Sequence, residues 1–424
     1  MSDSDKFNNP GGNDAFAVSA DMLTAAEALT TLLRAVAPVK ERETVGLTLA
    51  LGRVLAEDIV SPRAVPPHDN AAVDGYAVYA DDLDPASQVL LPVTGLITAG
   101  RPLTSPALRG EALRIFTGAP VPPGPDTILP QEICEEAHGH VTVPPQKRGA
   151  NLRRAGEDIQ TGAVVLRRGT RLRPQELGLA ASIGVGEVSV FRPVRVALFS
   201  TGDEVREPGC SAGAGAIYDS NRFILHGLLR GLGCAITDFG IVPDRLGAVT
   251  DTLARAGYGH DLVLTSGGVS AGDEDHVRTA AAALGALEFW RIAIRPGRPL
   301  AFGRVGDAMF LGLPGNPVAC MITFLIFARP LLLALAGATV TPPQTYRVIA
   351  GFSAKKRQGR REYLRASLHR TADGSVIANR FPQEGSWILT SMTASCGLID
   401  LPESLGGVAP GDWVEFLQFS DVLG

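Results

Sequence analysis

The chain has 424 residues, too many for one hydrophobic core, and a prior of roughly 150 residues per domain predicts about three units. Hydrophobic residues make up 45%, charged residues 20%, and the formal net charge is −5, the balance of a soluble globular protein with no basic excess to attract nucleic acid. Five scattered cysteines (Cys134, Cys210, Cys234, Cys320, Cys396) with no C-x-x-C pair argue for reduced thiols in a cytosol and against a zinc site.

Residues 1–17 are polar, acidic and glycine-rich without an apolar h-region, and read as a disordered tail rather than a signal peptide. Met22, Leu23, Ala26, Leu29, Leu32 and Leu33 recur at helical spacing and predict an amphipathic helix over 19–36. Short strands follow around Leu51-Gly52, and Ser61-Pro62 with Pro66-Pro67 marks a boundary. His68-Asp-Asn-Ala-Ala-Val-Asp-Gly-Tyr-Ala-Val78 is a turn leading into a strand. Short alternating runs over 89–143, punctuated by proline and glycine, predict a small β-rich domain. The proline-fixed loop after Thr117 is either a rigid connector or the wall of a binding cleft. Asn151-Leu-Arg-Arg-Ala-Gly-Glu-Asp-Ile159 offers anion ligands or a solvated turn, and 172–183 reads as a helix with Pro174 near its start.

From Val194 onward apolar strands alternate with helices. Strands are predicted at the 194 run, 235–242 and 261–265, and helices at 221–232, 245–256 and 276–284, the pattern of a parallel sheet with crossover helices. The stretch Leu262-Val-Leu-Thr-Ser-Gly-Gly-Val-Ser-Ala-Gly-Asp-Glu-Asp275 is a buried strand running into a glycine loop whose backbone N–H groups can turn toward an oxyanion. A helix N-terminus behind it adds to that attraction. Three strand ends, Thr201-Gly-Asp-Glu204, Pro243-Asp244 and 266–275, deliver acids and hydroxyls to one edge, where open α/β sheets bind ligands. Phe289-Trp-Arg-Ile-Ala-Ile-Arg-Pro-Gly-Arg-Pro299 adds Arg291, Arg295 and Arg298, which points to an anionic ligand bridged to the protein by Mg²⁺. The apolar run 318–336 falls short of the ~20 uninterrupted residues of a membrane span. It reads as a buried helix capped by Asn316, with Pro317 in its first turn and a kink or end near Pro330. From Tyr346 the chain returns to short strands with a second arginine cluster, Arg360, Arg361 and Arg365. No Gly-x-x-x-x-Gly-Lys-Ser/Thr occurs, so tight binding or hydrolysis of ATP itself is not expected.

Six pieces in order resemble the molybdopterin molybdenumtransferases, the molybdenum insertases that include the E domain of gephyrin. They are Asp69-Asn-Ala-Ala-Val-Asp-Gly-Tyr-Ala-Val78, Thr117-Gly-Ala-Pro-Val121, Arg154-Ala-Gly-Glu-Asp-Ile159, Ser200-Thr-Gly-Asp-Glu204, Ser266-Gly-Gly-Val-Ser270 with Asp275, and Leu313-Pro-Gly-Asn-Pro317. The resemblance implies an α/β multidomain subunit of an elongated, cytoplasmic homodimer. Its parts would be a linker domain in two segments (18–60 and 150–190), an inserted β-rich domain (61–149), a parallel-sheet molybdopterin-binding domain (191–338) and a C-terminal β barrel (339–424).

The implied substrates are adenylylated molybdopterin and molybdate, the implied cofactor is Mg²⁺, and the products are molybdenum cofactor and AMP. Transient contact with the adenylyltransferase or with molybdoenzymes would accompany the reaction; neither nucleic acid nor membrane is an implied partner. The same resemblance gives catalytic roles to Glu204, Asp244 and Asp275, with Asp69, Thr117 and Asp158 reaching the cleft from the partner subunit. Asp203, Glu204, Asp244 and Asp275 are the implied metal ligands. Ser200, Thr201, Gly202, Ser266, Gly267, Gly268, Ser270, Pro314, Gly315 and Asn316 would bind substrate. Arg291, Arg295, Arg298, Arg361, Arg365 and Ser391 would hold molybdate, with arginines where the family often has lysines; only five of the 39 basic residues are lysine. Two other readings use the same features: an adenylyltransferase or nucleotide pyrophosphatase on the same sheet domain, and a non-enzymatic scaffold.

Overall fold

The computed structural model describes residues 22–103, 106–268 and 276–423. The chain forms two compact units, one of Thr44–Leu51 with Leu55–Val190, the other of Met1–Glu43, Gly52–Val54 and Phe191–Gly424.

The first unit has two cores. Ala50, Leu55 and Ile59 pack with Leu166, Leu172, Ala180 and Val188, so segments more than a hundred residues apart in sequence share one core. Its helix, Pro174–Ser182, has proline at its first turn, where a missing N–H costs nothing. The inserted β domain is a six-stranded sheet in the order Thr127–Pro130, Gly75–Val78, Ala112–Ile115, Val89–Ile97, His140–Val143, Glu135–Ala137. All four residues of its inner strand Gly75–Val78 are buried. A Cβ on Gly75 would lie 1.8 Å from the Leu129 carbonyl oxygen, so no larger residue fits between these strands.

The second unit holds a sheet and a barrel. Its strands are β1 (Arg195–Thr201), β2 (Ala235–Val242), β3 (Leu262–Ser266), β4 (Leu287–Arg291), β5 (Ile294–Arg295), β6 (Pro299–Val305), β7 (Ala308–Leu313), β8 (Tyr346–Ala350), β9 (Arg361–Arg370), β10 (Val376–Arg380), β11 (Gly397–Leu401) and β12 (Trp413–Gln418). The sheet runs in the order β2-β1-β3-β7-β6-β4. The first three pairings are parallel. β6 and β4 join antiparallel, so the sheet is mixed where a purely parallel one was expected. The reason is local: Gly306 at φ 57° lies between β6 and β7, a tight reversal in place of a crossover helix. β3 is buried along its whole length between helices, which is why its sequence is continuous rather than alternating. Phe199, Val263, Phe310, Val277 and Leu253 form the core there, each worth ~1.5–3 kcal/mol on burial for the larger side chains.

In the barrel β9, β10, β8, β12 and β11 close into a ring through the β9–β11 pairing, and β5 adds to β9 as an outer parallel strand. Closure removes the free edges that a five-stranded sheet would otherwise expose.

Two predicted helices differ in detail. The opening helix runs Ala25–Arg34, because Thr24 caps it through a box with Glu27. That start makes Ala25, Ala28 and Leu32 the buried stripe and leaves Ala26 exposed. The Leu23 N–H donates to the Arg291 carbonyl at 3.1 Å, which ties this segment to the edge strand β4.

The apolar helix, Pro317–Leu335, is long and apolar enough to cross a membrane, but Phe324, Phe327 and Leu331 are buried inside the protein. Pro330 does not end it. The chain widens into a π turn over Phe324–Ala328, which accommodates the missing N–H and bulky ring of Pro330, and α-helix resumes to Leu335. Pro317 sits in the first turn as expected, whereas the Asn316 side chain makes no capping bond.

Candidate functional site

Because β1, β3 and β7 are parallel neighbours, their carboxyl ends lie along one edge, and the turns leaving them touch. The Gly267 N–H donates to the Leu313 carbonyl at 3.1 Å. Gly267 and Gly268 have φ of 86° and 63°, the left-handed region. A Cβ on Gly268 would come within 2.6 Å of Val277 Cγ2 and 3.0 Å of Thr201 Cγ2. Both glycines are therefore required by backbone conformation and by close approach.

These turns surround a cavity of about 410 Å³. Thr201, Gly202, Glu204 and Asp244 line one side, Gly267 and Gly268 another, and Pro314, Gly315 and Asn316 a third. Asp244 Oδ1 is buried without a hydrogen-bond partner, as is Thr201 Oγ1. A buried carboxylate oxygen left bare is costly, so it marks a place where a ligand donor or cation is expected. Asp203 does not line the cavity; it is exposed, and its Oδ1 accepts from the Asp244 N–H at 3.3 Å, fixing the turn that presents Asp244. Ser200 and Ser266 are buried in the strand ends just behind. Ser270 and Asp275 lie outside the described residues.

A second cavity of about 480 Å³ adjoins the first, and the two share Gly297, Arg298, Asn316 and Ser386. Arg295, Arg298, Arg360 and Arg365 line it. β5 sets this up: the chain leaves the sheet, pairs Ile294 with Arg361 and Arg295 with Glu362, and turns through Gly297. A Cβ on Gly297 would be 2.4 Å from Thr323 Oγ1, so only glycine lets the Arg295-Pro-Gly-Arg298 turn sit on the apolar helix.

The other predicted molybdate residues stand elsewhere. Arg291 is exposed on the edge strand β4, opposite Pro299, and does not line the cavity. Arg361 is engaged by Asp400 through two hydrogen bonds of 2.7 Å, which hold its guanidinium firmly protonated. Ser391 is fully buried; its Oγ donates to the Ile388 carbonyl at 2.6 Å and accepts from Arg365 Nε at 3.0 Å. Ser391 thus orients Arg365 from behind. Burial lowers the Arg365 pKa. Arg365 also donates to the carbonyls of Gln383 and Gly385.

Three residues of this cavity had no clear sequence signal: Glu384, Ser386 and Trp387. They sit on an aperiodic loop between β10 and a short helix, where composition shows a loop and nothing about its aim. Glu384 accepts from Arg295 Nη2 at 2.8 Å and from Arg380 Nη1 at 2.8 Å. Burial alone would raise its pKa, but these guanidiniums outweigh it and keep it below the usual carboxylate range.

In the other unit, Asp69 accepts from the Ala155 N–H at 2.8 Å and from Arg154 Nη1 at 2.7 Å. The backbone donor and the guanidinium hold its pKa down against partial burial. Thr117 donates both its N–H and its hydroxyl to Asp74 Oδ1 at 2.7 Å. Asp158 is exposed, its N–H on the Val65 carbonyl at 3.0 Å. The loop after Thr117 pairs with the segment around Asn70, the Val121 N–H donating to the Asp69 carbonyl at 2.9 Å, and Gly118, Pro120 and Pro122 line a cavity of about 590 Å³ together with Pro67, His68 and Asn70.

A mixed sheet whose carboxyl edge carries a glycine-and-acid cavity beside a guanidinium-lined one defines a multidomain α/β protein with a barrel at its carboxyl-terminal end. Three family models cover the chain in succession: the MoeA N-terminal region (domain I and II) at 23–184, a probable molybdopterin binding domain at 197–334, and the MoeA C-terminal region (domain IV) at 347–419. The molybdopterin molybdenumtransferase of Haemophilus influenzae is 37% identical over 406 residues, 95% of this chain and 100% of that one. That of a Nostoc species is 36% identical over 341 residues, 78% of each chain. The crystal structure of a molybdopterin biosynthesis moeA protein from Pyrococcus horikoshii OT3 superposes with a TM-score of 0.81 at 29% identity, covering 94% of this chain and 100% of that one. The chain belongs to the molybdopterin molybdenumtransferase family.

Proposed function

We propose that the paired cavities are where this enzyme of molybdenum cofactor biosynthesis brings adenylylated molybdopterin and molybdate together, inserting molybdenum and releasing AMP. One observation carries the reading: the acid-and-glycine cavity and the arginine cavity are contiguous, sharing Gly297, Arg298, Asn316 and Ser386. A phosphate-bearing substrate in the first would lie beside a tetrahedral dianion in the second.

The residues have complementary tasks. The backbone of Gly267, Gly268 and Gly315 can approach phosphate oxygens closely because no Cβ intervenes. Arg295, Arg298, Arg360 and Arg365 surround a second, small oxyanion with planar donors. Mg²⁺ fits the first cavity: Asp244 Oδ1 is buried and bare, and Glu204 lines the same space. Among the described residues no three His, Cys, Asp or Glu side chains converge on a metal point, so substrate oxygens would complete the coordination. When bound, the cation neutralises phosphate charge and polarises the P–O bond that breaks.

The chain is read as working as a homodimer in which Asp69, Thr117 and Asp158 complete the partner's cleft. The test is AMP release from adenylylated molybdopterin by the pure protein, with and without molybdate and Mg²⁺. Molybdate-dependent AMP release supports the insertase; AMP release indifferent to molybdate indicates a nucleotide pyrophosphatase, formation of ATP when pyrophosphate is added as adenylate acceptor indicates the adenylyltransferase, and no turnover leaves a scaffold.

A further inference from the structure

We infer that Trp387 is a stacking platform for a flat heteroaromatic ring of the organic substrate, placed beside the arginine cavity. The inference rests on the reading of that cavity given above, and it adds a recognition element for the organic part of the ligand.

Trp387 lines the arginine cavity while remaining 70% exposed. An indole left in water forgoes burial that would stabilise the fold, and a tetrahedral oxyanion has no use for a ring. The ring is held in place. A Cβ on Gly385 would meet Trp387 Cε2 at 2.7 Å and Cζ2 at 2.8 Å, so the benzo edge lies directly on the glycine backbone. The loop beneath is clamped twice: Arg365 donates to the carbonyls of Gln383 and Gly385, and the Val318 N–H donates to the Ser386 carbonyl at 3.0 Å. Little conformational freedom remains to be lost when a ligand ring settles on it.

The neighbours define the ligand class. Arg295, Arg360 and Arg365 line the same cavity as the indole, and Ser386 belongs to both cavities. A flat ring carrying an anionic tail can stack on Trp387 with its charge directed toward guanidinium. Pterins and purines both have that shape, and both occur in the proposed substrate.

The test uses ligand-observed NMR and calorimetry on the wild type, Trp387→Phe and Trp387→Ala, with 6-hydroxymethylpterin and AMP as separate probes. Stacking on an aromatic residue is worth enough that its loss weakens binding about tenfold or more. The expected result is an upfield shift of ring protons for at least one probe with the wild type and Trp387→Phe, and about tenfold weaker binding to Trp387→Ala. A response to the pterin alone, to AMP alone or to both supports the platform and names the ring. Equal affinity across the three proteins for both probes overturns it, as does no binding to the wild type. AMP release by the same wild-type preparation separates the two ideas: molybdate-dependent release with ring binding indifferent to Trp387 sinks the platform alone, whereas absent release sinks the insertase reading and leaves the NMR result to decide the platform.

Discussion

Glu384 holds Arg295 by a 2.8 Å hydrogen bond beside the cavity that four arginines line. The carboxylate competes with any incoming oxyanion for the same guanidinium. Glu384→Gln should therefore lower the molybdate concentration that half-saturates cofactor formation, by a few-fold, and Arg295→Ala should raise it about tenfold, the worth of one charge-assisted hydrogen bond. Molybdate titrations of both variants decide it. Superimposable curves would place the anion elsewhere.

Arg361 leads to the opposite expectation. Its guanidinium is taken by Asp400 in a two-bonded pair, and Glu403 stands 3.5 Å away. Arg361→Ala should cost stability of about 2 kcal/mol, because it leaves Asp400 largely buried without its partner. The molybdate dependence of the surviving activity should be unchanged. Urea unfolding beside a molybdate titration separates the two effects; a large shift in half-saturation with normal stability would return Arg361 to the anion site.

How much of this was legible follows from the kind of signal. Gly267, Gly268 and the acids at strand ends could be read because local rules demand them: positive φ admits glycine, and parallel strands send their carboxyl ends to one edge. The barrel arginines could not be sorted. Arg361 and Arg365 are four residues apart on one strand, yet one is consumed by Asp400 and the other borders the cavity. That difference is set by β11, about forty residues downstream, through a register no local pattern encodes. The reversal between β6 and β7 was missed for a related reason: a run of buried strands looks alike whether its neighbours are parallel or antiparallel.

The Asp69 carboxyl gives a pH prediction. Its folded pKa is lowered by the Ala155 N–H and by Arg154, so the stability it contributes is fully present above the unfolded value of about 3.9 and is lost as pH falls through the lower folded one. At neutral pH Asp69→Asn should melt below the wild type, by an amount near ~1 kcal/mol because the pair is partly exposed. Once the pH has fallen below the lowered folded pKa the two curves should converge. A difference that persists undiminished in acid would show that the charge is not what matters.

Asp69 also decides the proposed dimer. If each cleft takes Glu204 and Asp244 from one subunit and Asp69, Thr117 and Asp158 from the other, then Asp69→Ala and Asp244→Ala damage different halves of the same site. Homodimers of either variant should be nearly inactive. In a mixed dimer one cleft receives both defects and the other receives none, so activity returns without any subunit being intact. Random pairing puts about half the molecules in mixed dimers with one good cleft of two, and the recovered rate should be roughly a quarter of wild type. Differently tagged variants, co-expressed and purified through both tags, raise that to about half by removing the homodimers. Asp69→Ala removes the bond from the Ala155 N–H as well as the exposed pair with Arg154, so each variant's melting curve is recorded to confirm that it is folded. Recovery in the doubly purified sample would establish sharing across the dimer. Two inactive parents giving an inactive mixture, with both proteins folded and paired, would place Asp69 in the same cleft as its own Asp244 or outside the chemistry altogether.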